Sequence, residues 1–422
     1  MAAIPLGTHA KSYRLAIGLT VAMFALWGLA HRLYDTLLPE FATALSLGAY
    51  RTSMAQWILS LGYPLMAVPA AMLTRNFGYK SGVVFGLGCF AVGMFLFYPA
   101  AEQHAFGFLL SAALVVGCGL ALLEMAADPL IVRLGPVETA VRRLNIAQTL
   151  NPIGVVLGLF VGRQIIEAAR AHPVADFAKA LTTPYFLIGI GVLIFALVID
   201  NVEFPTVARE RVAKDDSTIT DFKRLFSHRL FMLGAGALAV CSTTQVVMWG
   251  FAIQYTQLAT PHLAATDVLL WAFYAFTAGR IVGTGLMYVI NPSLVLALFA
   301  AGGSILCAVA AFFCGATGIW CIVGASFFLS VVFPTIFASA IRDLGPQTKS
   351  GAAFLMLAAG LGAISLALAG LIVRPAGVQY VMIIPSLGFV AIFAFAMVFH
   401  RNDNRAVANE TRREAVNAPF AG

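Results

Sequence analysis

Residues 105–134 read AFGFLLSAALVVGCGLALLEMAADPLIVRL, and the class of the protein follows from them. No acidic, basic or histidine side chain occurs from Ala105 to Leu123. About 20 apolar residues in helical form cross the hydrocarbon core of a bilayer, so this run reads as a membrane span. It then carries Glu124, Asp128 and Pro129, at a depth where charge is costly and a proline removes a backbone donor. One face of the span must therefore meet protein or a watery cavity.

Comparable runs lie near 14–45, 51–75, 78–99, 138–168, 184–200, 228–258, 266–290, 293–313, 317–343, 348–373 and 378–400, which brings the count to twelve. Barrel spans would alternate apolar and polar residues over about ten positions, and no such alternation is present. The expected fold is an all-α membrane protein of twelve transmembrane helices in two pseudo-symmetric six-helix bundles. Composition agrees, because charged residues make up 11% and apolar residues 60% of the chain. A soluble domain carries about 25% and about 45–50%, so neither a water-soluble fold nor intrinsic disorder fits.

The net charge of +7 suggests nucleic acid until its placement is examined. Counting along alternating loops, 19 of the 26 Lys and Arg fall on the side of Lys11 and Arg14, and five on the other. That asymmetry predicts both termini in the cytoplasm and accounts for the charge without nucleic acid. Lys11 and Arg14 before the apolar run from Leu15 to Ala30 mimic a signal peptide. No small-x-small cleavage site closes that run, so a retained first span is expected. The six cysteines lie in or beside apolar runs, with no CxxC pair and no histidines at ligand spacing, so no metal or cofactor is expected.

The longest polar connection, 202–227, divides an N-terminal bundle (1–201) from a C-terminal bundle (228–400), and a polar tail (401–422) follows. This tail reads as a disordered end near anionic lipid, with a helical tip possible. A faint internal repeat supports the division. Leu134-Gly135-Pro136 follows the fourth span as Leu344-Gly345-Pro346 follows the tenth.

Five ionisable residues lie well inside spans: Arg32, Asp35, Glu124, Asp128 and Arg280. Each needs a partner or a proton-handling role. Salt bridges between helices are one reading, although three acids face two bases. Glu124 and Asp128, at i and i+4, share a helical face, and two ionised carboxylates so placed repel. The pair is thus suited to holding a proton, with Asp35 as a further proton-coupling residue nearer the outer surface and Arg280 as a charge partner. Pro129 frees the carbonyl of Met125. Gln148, Asn145, Asn151, Gln245, Gln254, Tyr255 and Gln56 could bind a neutral polyol, and Trp27, Trp249, Trp271 and Tyr274 could stack on a sugar ring. Interhelical hydrogen bonding serves each of them equally well. Gly154, Gly158 and Gly162, like Gly279 and Gly283, read as close-packing stripes.

These residues belong to a wider pattern. It comprises Phe24-Ala25-Leu26-Trp27-Gly28 with Asp35 and Pro39, YPLMAVPAAMLTRNFGY at 63–79, and Glu124-Met125-Ala126-Ala127-Asp128-Pro129. RLNIAQTLNPIG at 143–154 and FPTIFASAIRDLGPQTKSGAAF at 333–354 complete it. Together, over nearly the whole chain, they resemble the fucose permease branch of the major facilitator superfamily. The resemblance implies two six-helix bundles that rock about a central site and couple hexose uptake to protons. It implies Asp35 and Glu124 as the essential membrane carboxylates, Gln148 and Asn151 as the polar pair of span five, and Gln245 and Trp249 as contacts on span seven. The chain departs from the family at Met125 and Asp128, where the family reads Glu-Thr-Ala-Ala-Asn-Pro, and at His31 and Arg32, where it reads Asn-Asn. Arg32 and Asp128 either pair with each other or meet a charged substrate. The turn Arg75-Asn76-Phe77-Gly78-Tyr79-Lys80 is a poor copy of the superfamily's Asp-Arg-x-Gly-Arg-Arg gate.

The expected function is proton-coupled symport of a hexose or fucose-like sugar, by a monomer in a bacterial inner membrane. Substrate contacts are expected from Gln148, Asn151, Gln245, Trp249, Trp27, Arg32 and Tyr274. A uniporter or exporter of another small polar or anionic solute is the alternative. An intramembrane enzyme is disfavoured, since seven scattered histidines offer neither HExxH nor a Ser/His/Asp set.

Overall fold

The computed structural model describes residues 8–103, 105–171, 174–204, 218–260, 262–263, 265–360 and 377–417, with 362, 365 and 369. Every described element is helical, as a chain in lipid requires when its backbone must satisfy itself. The order is α1 (Thr8–Ala44), α2 (Ala49–Phe77), α3 (Tyr79–Glu102), α4 (Phe106–Arg133), α5 (Ala140–Gln148), α6 (Leu150–Arg170) and α7 (Val174–Asn201). Then come α8 (Thr218–Leu225), α9 (Arg229–Gly250), α10 (Ala252–Ala259), α11 (Ala265–Leu286) and α12 (Pro292–Phe312). The chain continues with α13 (Ala316–Leu329), α14 (Val332–Ile341), α15 (Thr348–Gly360) and α16 (Ile383–Asn417). Eleven stretches among the described residues are long and apolar enough to cross a membrane. The remaining expected span, 348–373, begins as α15, and beyond Gly360 the described residues 362, 365 and 369 are helical.

Three expected spans are divided, and in two of them a proline sits where the physics requires. Pro152 cannot donate to the carbonyl of Gln148, and the 138–168 run bends at Thr149 between α5 and α6. Pro334 likewise leaves the carbonyl of Ser330 without its helical donor, and the 317–343 run divides there into α13 and α14. The third, 228–258, breaks at Phe251 after Gly250. Pro129 leaves α4 unbroken. The tail from 401 to 417 extends α16 rather than leaving it as a disordered end, in keeping with its Ala, Glu and Arg content.

The chain forms two compact units, Met1–His228 with Phe337–Gly360, and Arg229–Ile336 with Leu361–Gly422. The first unit thus takes α15 from the second half of the sequence. Its aromatic core joins α1, α3 and α7: Phe97 stacks on Tyr185 at 4.3 Å, Phe41 meets Tyr185 at 5.6 Å, and the Tyr34 hydroxyl donates to Ala55 O of α2 at 2.7 Å. On α7 the residues Phe186, Leu187, Ile190, Leu193, Ile194, Leu197 and Val198 stand exposed. Such a patch is a liability in water and a proper surface in lipid.

In the same unit α1 crosses α6 at backbone contact. A Cβ on Gly154 would strike the Ala25 carbonyl, one on Gly158 would lie 2.6 Å from Leu29 O, and one on Gly162 would lie 2.9 Å from Thr36 Cγ2. Gly154→Val should therefore cost about 3 kcal/mol, the upper range of overpacking, because backbone cannot yield as a side chain does. Gly236→Ala, which meets nothing within 4 Å, should leave stability unchanged or raised. Thermal unfolding in detergent separates the two.

Candidate functional site

In the first unit, α4 presents two buried acids one turn apart, Glu124 and the fully inaccessible Asp128. Each has its own partner. α2 approaches α4 so closely that a Cβ on Gly62 would collide with the Gly117 backbone, and this seats Tyr63 against the upper acid. The Tyr63 hydroxyl faces the Glu124 carboxylate. A hydroxyl can donate to a carboxylate or accept from a carboxylic acid, so this partner suits either protonation state. Asp128 faces α5 instead. Gln148, the last residue of α5, donates from Nε2 to both Asp128 oxygens at 3.2 and 3.1 Å.

α1 brings Trp27, His31, Arg32 and Asp35 to this unit. Trp27 lies beside the Tyr63 hydroxyl, and its ring is 6.2 Å from that of His31. His31 Nδ1 is buried without a hydrogen-bond partner among the described residues. Arg32 Nη1 reaches Asp35 Oδ2 at 3.9 Å, three residues along its own helix. The added base thus answers an acid of its own span, through an i,i+3 spacing already present in the sequence. Asn151 is tied to the crossing of α1 and α6, donating from Nδ2 to Phe24 O at 3.4 Å.

In the second unit the decisive group is Arg280. It is buried, its Nε donates to Ser330 O at 2.7 Å, and its Nη2 donates to the same oxygen. That carbonyl is the one released by Pro334, so a proline on α14 creates the acceptor that holds a cation of α11. Gly279 makes the approach possible, since a Cβ there would strike the Phe327 carbonyl. The guanidinium also lies 4.8 Å from the Phe276 ring centre. Trp249 packs on Phe273 and Phe276 at 4.8 and 5.3 Å and donates from Nε1 to Ser326 Oγ at 3.1 Å. Gln245 is half-buried one turn earlier on α9. Tyr274 stands apart on an exposed face that it shares with Ile281.

Two participants were not among the sequence candidates, Tyr63 and Ser330. Gly62 was the available signal for the first and Pro334 for the second, both visible only once the facing helix is known.

The model of the Major Facilitator Superfamily matches residues 15–364. The L-fucose-proton symporter of Escherichia coli (strain K12) is 31% identical over 410 residues, 92% of this chain and 94% of that protein. The chain belongs to the fucose permease branch of the major facilitator superfamily. A glucose/galactose transporter of Brucella abortus biovar 1 is 28% identical over 92% of this chain and 95% of its own length. Among solved structures, that of the transporter FucP in the outward conformation is similar with a TM-score of 0.85 and 31% identity, covering 92% of this chain and 99% of that one.

The superfamily's gate turn is altered here, and the first unit shows what replaces its acid. Gly78, at φ 89°, turns the chain from α2 into α3. Arg75 at the end of α2 donates from Nη1 to Asp221 Oδ2 at 2.8 Å, and Asp221 comes from α8, in the connection between the two halves. Ser350 of α15 donates to the same oxygen at 3.4 Å, and buried Lys349 lies 5.0 Å from the Tyr79 ring centre. Phe222 of α8 and Phe226, just past its end, close on Phe354 of α15.

Two outcomes follow. Asp221→Asn should lower stability by at least about 1 kcal/mol, because it removes the charge from a buried, hydrogen-bonded partner of Arg75; thermal unfolding of purified protein measures this. Arg280→Lys cannot place two N–H groups on Ser330 O while lying flat on Phe276. Transport should fall about tenfold, the equivalent of about 1.4 kcal/mol, with folding retained.

Proposed function

We propose that the protein is a proton-coupled sugar symporter, a monomer of the bacterial cytoplasmic membrane that works by alternating access with both termini inside. The observation that carries this reading is that a hydroxyl, Tyr63, faces the buried membrane carboxylate Glu124, a neighbour that serves the acid and its anion alike. An arginine or lysine in the place of Tyr63 would hold the carboxylate ionised through the cycle. The relatives support a sugar as the co-transported solute, being named for L-fucose and protons and for glucose and galactose.

A neutral substrate suits Arg32 better than an anion does, because the Asp35 carboxylate already lies beside that cation. Within the first unit, taken by itself, sugar contacts are proposed for Gln148, Asn151 and Trp27; within the second, likewise by itself, for Gln245 and Trp249. The proton gradient serves in place of any cofactor. The excess of Lys and Arg on the side of both termini supports the orientation. One proton moving inward through 100 mV releases about 2.3 kcal/mol, enough to concentrate a neutral sugar about 40-fold.

Purified protein in proteoliposomes, given L-fucose, D-glucose and D-galactose under an imposed inward proton gradient, should accumulate at least one of them. Glu124→Gln should abolish that accumulation, and uphill uptake equal to the unsubstituted protein would overturn the assignment. Asp35→Asn should retain sugar exchange in counterflow and lose gradient-driven uptake.

A further inference from the structure

Between α6 and α7 the first unit carries a cleft of about 440 Å³, lined in part by Phe160, Gln164, Ile165, Ala168, Thr183 and Pro184. The two helices lean on different neighbours, which leaves the space between them. α6 lies on α1 at the crossing set by Gly154 and Gly158, and α7 lies on α3, where a Cβ on Gly189 would come within 2.6 Å of the Phe95 ring. Both walls belong to stretches long and apolar enough to cross a membrane, and around the cleft Phe160, Phe186 and Leu187 are exposed. A cleft so placed opens to the bilayer and draws its occupant from there. Its volume is that of a small-ligand site, about 300–1,000 Å³.

The lining is not wholly apolar. Gln164 and Thr183 contribute an amide and a hydroxyl, and both residues are exposed. Next to them on the surface of α6 stand Arg163 and Glu167, exposed and one turn apart at i and i+4. Arg170 of the same stripe already answers Glu40 of α1 at 2.9 Å, so Arg163 and Glu167 are the charges presented beside the cleft. α6 ends at Arg170, and a rise of 1.5 Å per residue puts Arg163 about 10.5 Å and Glu167 about 4.5 Å inside that end. The cation therefore lies on the bilayer side of the anion.

We propose that this cleft binds one phospholipid with an amine-bearing zwitterionic headgroup, phosphatidylethanolamine. Such a lipid carries its charges in the complementary order. An acyl chain fills the cleft, and the ester carbonyls accept from Gln164 and Thr183. The phosphate, attached next to the glycerol, meets the guanidinium of Arg163, and the ammonium beyond it donates to the carboxylate of Glu167. A headgroup that is anionic and lacks an amine has nothing to offer Glu167, and a trimethylated amine cannot donate to it. The site uses none of the residues assigned to the sugar or the proton, so it does not depend on which solute is carried.

The test titrates delipidated full-length protein in detergent with phosphatidylethanolamine, phosphatidylcholine and phosphatidylglycerol of identical acyl chains, and reads bound lipid by native mass spectrometry. The first equivalent of phosphatidylethanolamine should bind at least about tenfold more tightly than either of the others, the discrimination of one charge-assisted hydrogen bond. Ala168→Trp, which fills the cleft from an exposed position, should weaken that binding by about tenfold or more, whereas Leu298→Trp, on an exposed face of α12, should leave it unchanged. Glu167→Gln should bring phosphatidylethanolamine and phosphatidylcholine within about threefold of each other. Equal affinity for the three lipids overturns the proposal, as does a preference that Ala168→Trp or Glu167→Gln leaves intact or that Leu298→Trp removes. Should Ala168→Trp fail to fold, Glu167→Gln decides by the same criterion.

Discussion

A polar group at bilayer depth has to be answered by another part of the same protein, because lipid offers it nothing. That constraint makes every described element helical and gives each buried charge a specific neighbour. Glu124 has the Tyr63 hydroxyl, Asp128 the Gln148 amide, Arg32 the Asp35 carboxylate, Arg280 the Ser330 carbonyl and Arg75 the Asp221 carboxylate. The partners differ in chemistry, and the differences sort the roles. An ion pair holds its charge, a carbonyl anchors a cation without neutralising it, and a hydroxyl leaves a carboxylate free to gain or lose a proton.

Prolines and glycines supply much of this arrangement. In water a helical proline is chiefly a defect, but here Pro334 releases a carbonyl and Arg280 occupies it. Glycine removes the Cβ that would keep helices apart, so Gly62 and Gly117 seat α2 on α4, Gly154 and Gly158 seat α1 on α6, and Gly279 seats α11 on α13. Close backbone approach then delivers side chains such as Tyr63 to their partners with little freedom left.

The departures from the family pattern fall into place by the same logic. An added acid at Asp128 accepts from the Gln148 amide. An added base at Arg32 is matched by Asp35. The altered turn after α2 draws its acid from α8, so a connection that reads as a polar tether contributes a buried, structural contact.

The sequence by itself determined the membrane class, the spans and the identity of the charges that matter. Hydropathy is a local sum, and the cost of an ionisable group in lipid depends on its type and depth. It also placed Glu124 and Asp128 on one face and named Gln148, because helical period is local as well. Which partner each charge takes was decided only by tertiary structure. Tyr63 is 61 residues from Glu124, Ser330 is 50 from Arg280 and Asp221 is 146 from Arg75, and no local pattern links positions so far apart. The bond between the Gln148 amide and Asp128 exists only once α4 and α5 have packed.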